Sequence, residues 1–323
     1  MNWRNLRWPL AALGLLLLFN LVFTPGFFHF ELKEGRLYGS LIDILNRAAP
    51  VMLLSLGMTL VIATGGVDLS VGAIMAMAGA VGALLINAGG PVALAITAAL
   101  AGATMAGLWN GALVGPLQVP PIVATLILMV SGRGIAQLLT NGQIITFENR
   151  AFEYIGRGHL AGVPFPIFLV AGCFLILHRS LTRTAAGLFM EACGDNELAS
   201  RYAGVNTRLV KFIVYGASGL CAGLAGLIVA TDIKGADANN AGLYLELDAI
   251  LAVVLGGTAL AGGRAHLGGS LLGAALIQTL TTTILTRVSP HFTLVVKSAV
   301  IIGVCLLQAP KFRQLLLRWR HAS

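Results

Sequence analysis

The acids, amides and cations of this chain gather in three short stretches, and their chemistry is that of docking and hydrogen bonding rather than bond cleavage. The densest is the island from Arg179 to Lys211, in a sequence with only 11% charged residues. Within it, Gly187 to Val205 reads GLFMEACGDNELASRYAGV. Glu191, Asn196, Ala199 and Ala203 follow the three-to-four-residue spacing of a short surface helix, bounded by Gly187 and Gly204. An acid in its first turn, Glu191, suits the positive end of a helix, and Ala199 and Ala203 leave one side small enough for close approach. Asn196 and Arg201 offer polar contacts. Such an island either receives a soluble partner or does no more than fix topology.

The second stretch is Thr64-Gly65-Gly66-Val67-Asp68-Leu69-Ser70. It reads as a tight turn in which Asp68 or Ser70 caps the next helix, an effect of about 1 kcal/mol. The same acid also suits a gate, or the interface with a partner. The third stretch holds Asp237, Asn239, Asn240, Glu246 and Asp248. Its groups suit hydrogen bonding to a ligand or to a docking protein, while Glu246 and Asp248 equally suit the start of a helix. Two cations lie inside apolar runs, Arg133 and Lys297. A charge at mid-membrane is costly unless paired or wetted, so Arg133 reads as a boundary residue or a pathway residue, and Lys297 as snorkelling to the outer interface.

Several chemistries are not indicated. There is no G-x-x-x-x-G-K-[ST], so ATP binding by a P-loop is not expected here and any ATPase is another polypeptide. The six histidines make no H-E-x-x-H pair and no G-x-S-x-G elbow exists; Ser218 lies mid-span, where it reads as bonding along its own helix. The four cysteines form no C-x-x-C and read as small packing residues. No catalytic residue, metal site or cofactor is expected on this chain.

The elements that position these stretches follow from composition. The chain is 57% hydrophobic, and apolar runs of about 18 to 25 residues recur from end to end. In hydrocarbon each backbone polar group must be satisfied within its own segment, so the runs read as helices: an all-α, polytopic transmembrane bundle. Pro, Gly and charge punctuation divide it into about ten spans. They cover residues 9–28, 43–64, 69–88, 91–115, 120–140, 165–180, 209–231, 247–263, 267–287 and 292–309. The pairs around Asp68 and around Gly262 are the least separated, and a merged or re-entrant pair would change the number. The first span lacks a cleavage site after it and reads as retained. Lys and Arg are most frequent on the side of the charged island, which puts both termini and the island in the cytoplasm. The net charge of +8 is thus topological, with no nucleic-acid motif beside it. Many of the 40 glycines stand at small-xxx-small spacing, as at Gly107, Gly111 and Gly115, Gly219 and Gly223, and Gly269 and Gly273, which predicts close helix packing.

Together with the island, GMTLVIATGGVDLSVGAIMA (Gly57 to Ala76) and AGLYLELDAILAVVLGGTALAGGRA (Ala241 to Ala265) resemble signature segments of the ribose-type permeases of bacterial ATP-binding-cassette (ABC) sugar importers. The likeness covers about residues 40 to 310. Within that family, IDILNRAAP (Ile42 to Pro50), ATLILMVSGRGIAQLLTNGQIITF (Ala124 to Phe147) and GADANNAGLYLELDAILAVV (Gly235 to Val254) are most similar to galactofuranose permeases. The resemblance implies one permease domain over residues 1–323, in the bacterial inner membrane, with a cytoplasmic ATPase-docking loop at about 181–208. It implies a duplicated cytoplasmic ABC ATPase that holds ATP and Mg, a second permease subunit, identical or different, and a periplasmic sugar-binding protein. Membrane lipid surrounds the spans and no nucleic acid takes part. The matching coupling residues are Glu191, Ala192, Gly194, Asn196, Ala199, Arg201, Ala203 and Gly204; gate or pathway residues are Asp68, Ser70, Asn239, Asn240, Glu246 and Asp248. The cargo implied is galactofuranose or a related pentose or hexose. The alternative, an ion-coupled secondary carrier, would place carboxylates near mid-membrane, where these runs hold almost none.

Overall fold

The computed structural model describes residues 3–33 and 35–286, with residues 292, 295–299 and 302 beyond them. Helix α1 (Trp3–Phe23) is followed by an antiparallel hairpin, β1 (Glu31–Lys33) and β2 (Arg36–Tyr38). Then come α2 (Ser40–Ala63), α3 (Val71–Asn87), α4 (Val92–Val114) and α5 (Pro121–Thr140). The next connection, between the expected spans 120–140 and 165–180, contains β3 (Ile145–Thr146), the two-turn α6 (Arg150–Arg157) and the strand pair β4 (His159–Leu160) and β5 (Val163–Pro164). After α7 (Phe165–Arg183) stand two short helices, α8 (Ala185–Asp195) and α9 (Glu197–Tyr202), then α10 (Thr207–Asp232). Strand β6 (Gly235–Ala236) pairs with β3, and α11 (Leu245–Leu255) and α12 (Leu267–Leu285) complete the described elements. The strands are clips of two or three residues, and the fold is helical.

Six of these helices, α2, α4, α5, α7, α10 and α12, are long and apolar enough to cross a membrane. They differ in what surrounds them: 83% of the apolar window of α2 is buried, against 11% for α7. From Ala48 to Ala63 every residue of α2 is buried, so α2 is the mast on which α10, α12 and α11 lean. A helix apolar on all sides needs this setting, or lipid, around its whole circumference.

The small-residue seams pack as expected. A Cβ on Gly111 would lie 2.7 Å from the Phe212 carbonyl oxygen, and those on Gly107 and Gly219 would overlap backbone across the same α4–α10 seam. Gly269 and Gly273 likewise bring α12 onto the backbone of α11 at Gly256 and Ala252. Cys173 and Cys221, distant in sequence, hold their sulfurs 3.7 Å apart between α7 and α10.

Two expected spans need comment. The run 247–263 is not one helix: α11 has 11 residues. At 1.5 Å per residue that length is about 16 Å, half of the hydrocarbon thickness. Gly256 and Gly257 end it, Gly257 with φ +90°, although the sequence stays apolar to Ala261. The chain then folds in turns to His266. The run 292–309 lies largely outside the described residues.

Candidate functional site

Helix α7 stops because Thr184 turns extended (φ −125°, ψ 163°), and its hydroxyl oxygen accepts from the Ala186 amide to begin α8. Asn196 repeats the device: it ends α8 at φ −153°, and its side-chain oxygen accepts from the Ala199 amide at 2.9 Å to begin α9. The single helix expected between Gly187 and Gly204 is therefore two helices with a corner at Asn196. Glu191 stands within α8 rather than in its first turn, and its carboxylate accepts from the Ala265 amide at 3.2 Å. Gly194 comes so close to the end of α2 that a Cβ there would overlap the Ala63 carbonyl oxygen and lie 2.6 Å from the Gly263 amide nitrogen. Gly263 in turn donates to Ala63 at 3.0 Å. Three strands of main chain, from α2, α8 and the glycine turn after α11, thus meet with no side chain between them.

Sequence reasoning passed over Glu197, which organises the second helix. Its carboxylate accepts from Arg201 at 2.6 Å, from Lys211 at 2.7 Å and from the Thr207 hydroxyl at 3.2 Å, fastening α9 to the start of α10. Burial raises its pKa, but the hydrogen bonds and charges of Lys211 and Arg201 outweigh that and hold the carboxyl below its ordinary value. The i, i+4 spacing of Glu197 and Arg201 was the available signal. Facing outward are Leu188, Leu198 and Tyr202, the last 91% exposed, beside the exposed Ala199, Ala203 and Gly204. Ala192 is half-buried. The expected coupling residues therefore divide into an inward set, Glu191 and Gly194, and an outward set, Ala199, Ala203 and Gly204, while Asn196 and Arg201 shape α9 itself.

The polar residues of the turn from Thr64 to Ser70 are interior, while Gly65 is exposed. Asp68 is fully buried; one carboxylate oxygen accepts from the Ser70 amide (3.1 Å) and hydroxyl (2.6 Å), the other from Ser218 on α10 (3.0 Å). Asn110 on α4 donates to the Ser70 hydroxyl oxygen at 2.8 Å, and the Tyr215 hydroxyl donates to the Val67 carbonyl at 3.3 Å. Ser70 does occupy the residue before α3, but its hydroxyl is spent on Asp68 and makes no helix cap. Neither does Ser218 bond along its own helix. Asp68 and Ser70 form a polar node joining α3, α4 and α10, with no cation in ion-pair reach among the described residues.

At the far end of α10 the third stretch separates into parts. Asp237 accepts from the amides of Asn239 and Asn240 and from the Asn240 side chain at 2.8 Å, closing the loop on itself. Asn239 accepts from Gln137 at 2.9 Å and donates to the Gly142 carbonyl at 3.1 Å. Arg133 donates to the carbonyls of Ala238 (3.0 Å) and Ala241 (2.5 Å), so it props this loop rather than snorkelling. Glu246 is 7% exposed in the first turn of α11, beside Gly72, while the residue capping that helix is Tyr244 at φ 65° and supplies no side-chain bond. Asp248 pairs with Lys297 at 2.6 Å, so that lysine is held by a partner and does not snorkel.

A bundle of apolar helices carrying an exposed helical pair, joined by main chain to the turns between its central helices, is the construction of a multi-pass membrane permease. The chain belongs to the family described as branched-chain amino acid transport system / permease component, matched over residues 40–305. It is 53% identical over 320 residues to the galactofuranose transporter permease protein YtfT of Escherichia coli K12, covering 97% of this chain and 94% of that one. The fructose import permease protein FruF of Bifidobacterium longum is 39% identical over 96% of this chain and 89% of its own length. The ribose import permease protein RbsC of Escherichia coli K12 is 37% identical over 93% of each chain. By name these relatives are permease proteins for sugars, and the chain is a multi-pass protein of the inner membrane.

Proposed function

We propose that this chain is the membrane-spanning subunit of an ATP-driven importer that carries a monosaccharide, galactofuranose or a related pentose or hexose, from periplasm to cytoplasm. The observation that carries the reading is the junction at Gly194, where a surface-exposed helical pair meets both glycine turns of the bundle backbone to backbone, with the Glu191 carboxylate beside it on the Ala265 amide. A push on α8 reaches the end of α2 and the turn that leads into α12 without a side chain between them at Gly194. In this reading residues 1–323 form one domain of about ten spans with both termini cytoplasmic. The loop at about 181–208 docks a duplicated cytoplasmic ABC ATPase, which binds and hydrolyses ATP with Mg. The outward residues Leu198, Ala199, Tyr202, Ala203 and Gly204 meet that ATPase, and Glu191 and Gly194 pass its closure inward. Asp68 and Ser70 hold the cytoplasmic gate; Asn239, Asn240 and Glu246, with Asp248 behind them, stand at the outer mouth. A second permease subunit completes the pathway and a periplasmic sugar-binding protein delivers the cargo.

The similarity to YtfT supports the sugar class, and the support weakens from class to individual sugar because the fructose and ribose permeases are also related. The test is uptake into proteoliposomes holding this chain, its ATPase and its second permease, with binding protein and labelled sugars outside and ATP inside. Uptake that needs both ATP and binding protein, with galactofuranose ranked first, is expected. Uptake by this chain alone under an imposed proton or sodium gradient would replace the importer with a carrier.

A further inference from the structure

Between the last turns of α7 and the first turns of α10, next to α8, lies a hollow of about 400 Å³. Leu177 and Leu181 of α7 and Val214 and Ala217 of α10 wall it, and α8 contributes Phe189 and Met190. One turn deeper, Cys173 and Cys221 hold α7 and α10 together, so the hollow opens only over the turns that lead toward α8. Leu209 and Ile213 line it as well and are more than half exposed, so it is open to the side. From Leu209 to Ala217 it follows α10 for about 12 Å, close to the depth of one hydrocarbon leaflet, about 15 Å.

Its walls offer little to a polar guest. Two lining side chains carry hydroxyls, Ser180 and Thr184, and that of Thr184 is spent: it donates to the Ser180 carbonyl at 2.6 Å and accepts from the Ala186 amide at 3.2 Å. A sugar or a group of waters needs several such partners. The mouth is different. Arg183 stands directly before Thr184 and Arg208 directly before Leu209; both arginines are exposed, and neither is in an ion pair among the described residues. The nearby acids are engaged elsewhere, Glu197 with Arg201 and Lys211 and Glu191 with the Ala265 amide.

We infer that this hollow seats an anionic phospholipid of the cytoplasmic leaflet, with an acyl chain between α7 and α10 and the phosphate on Arg183 and Arg208. The inference rests on the importer reading for the side of the membrane, since that reading puts α8 and α9 in the cytoplasm. The occupant follows from the chemistry: apolar walls of leaflet depth take a hydrocarbon chain, and unpaired guanidinium groups at their mouth take a phosphate. A chain lodged there packs against Phe189 and Met190, on the helix that carries Glu191 and Gly194, and so backs α8 from the membrane side.

The test titrates the purified full chain in detergent with phosphatidylglycerol and, separately, with phosphatidylcholine of the same acyl chains, and counts bound lipid by native mass spectrometry. The wild type is expected to hold one phosphatidylglycerol about tenfold more tightly than phosphatidylcholine. Arg183→Gln with Arg208→Gln, both at exposed positions, is expected to erase that preference. Ala217→Phe and Ser180→Phe, which fill the hollow from either helix, are expected to weaken both lipids. In nanodiscs the assembled importer is expected to hydrolyse ATP faster in phosphatidylglycerol than in phosphatidylcholine, a ratio that falls toward one in the double variant. Equal affinity of the wild type for the two lipids, or a preference kept by the double variant, would overturn the seat. An effect of the arginines with none from either filling variant would reduce the attraction to surface charge and overturn it too. So would a preference of the lone chain that vanishes when the ATPase and second permease join, since the face would then belong to a subunit. A preference intact in a chain whose sugar uptake needs neither ATP nor binding protein would sink the importer reading and leave the lipid seat in place.

Discussion

At Gly194 the α8–α9 pair meets Ala63 and Gly263 backbone to backbone, whereas at the other end Arg133 and Gln137 reach the loop after α10 through long side chains. The first contact has no rotamers to rearrange and no room for an added atom. The second can lengthen, lose one bond and keep others, because Asn239 is also held to Gly142 and Asp237 closes its own turn. A backbone junction transmits displacement; a side-chain tether sets the position of a loop and lets it adjust. The end with the rigid junction suits the receipt of a mechanical push, and the tethered end suits admission of a ligand.

The contrast is broken most directly by Gly194→Val. The added side chain cannot coexist with the Ala63 carbonyl, so uptake in proteoliposomes is expected to fall to background while the protein still reaches the membrane. Uptake near the wild-type rate would show that the junction is not what transmits the push. Next in size is Lys297→Met, which strands Asp248 in a mostly buried site and is expected to cost about 3–5 kcal/mol. Thermal unfolding in detergent reads that loss, and adding Asp248→Leu is expected to return most of it. Glu191→Lys follows, expected to uncouple ATP hydrolysis from uptake, whereas Glu191→Gln keeps an oxygen for the Ala265 amide and most of the coupling. Equal loss in the two would mean that charge, not that bond, matters at this position.

Gln137→Ala removes one tether of several and is expected to cost about 0.5–1.5 kcal/mol, visible as a raised sugar concentration for half-maximal uptake with the maximal rate kept. The smallest effect belongs to acid. Glu197 has its pKa lowered, so its pairing with Arg201 and Lys211 is fully present above the ordinary glutamate value and is lost as pH falls through the lower, folded one. Amide exchange in residues 197–211 is expected to quicken in that window, ahead of the α4–α10 seam.

Much of the helical layout was legible because a bilayer demands long apolar runs, and Gly107, Gly111 and Gly219 announced their seam by spacing. The break in α11 was not, since the stretch from Ala249 to Ala261 carries no charge across the glycines that stop the helix. The corner at Asn196 had a signal, an asparagine followed by an acid at the first turn, which the continuous spacing of small residues hid. The node at Asp68 and Ser70 had none: Asn110, which bonds Ser70, and Ser218, which bonds Asp68, stand on other helices, 40 and 150 residues further along the chain than their partners. The Lys297–Asp248 pair was hidden for the same reason, because sequence lists charges without saying which of them meet.

The α4–α10 seam, made of glycine on backbone, has one more consequence. Where Gly107, Gly111 and Gly219 set backbone against backbone the two helices share few resting positions, so they behave as a single strut, and sliding one past the other would need a whole new set of glycines in register. Whatever shape change accompanies passage of a cargo is then expected to carry α4 and α10 together as one body, with the displacement falling between this strut and its neighbours.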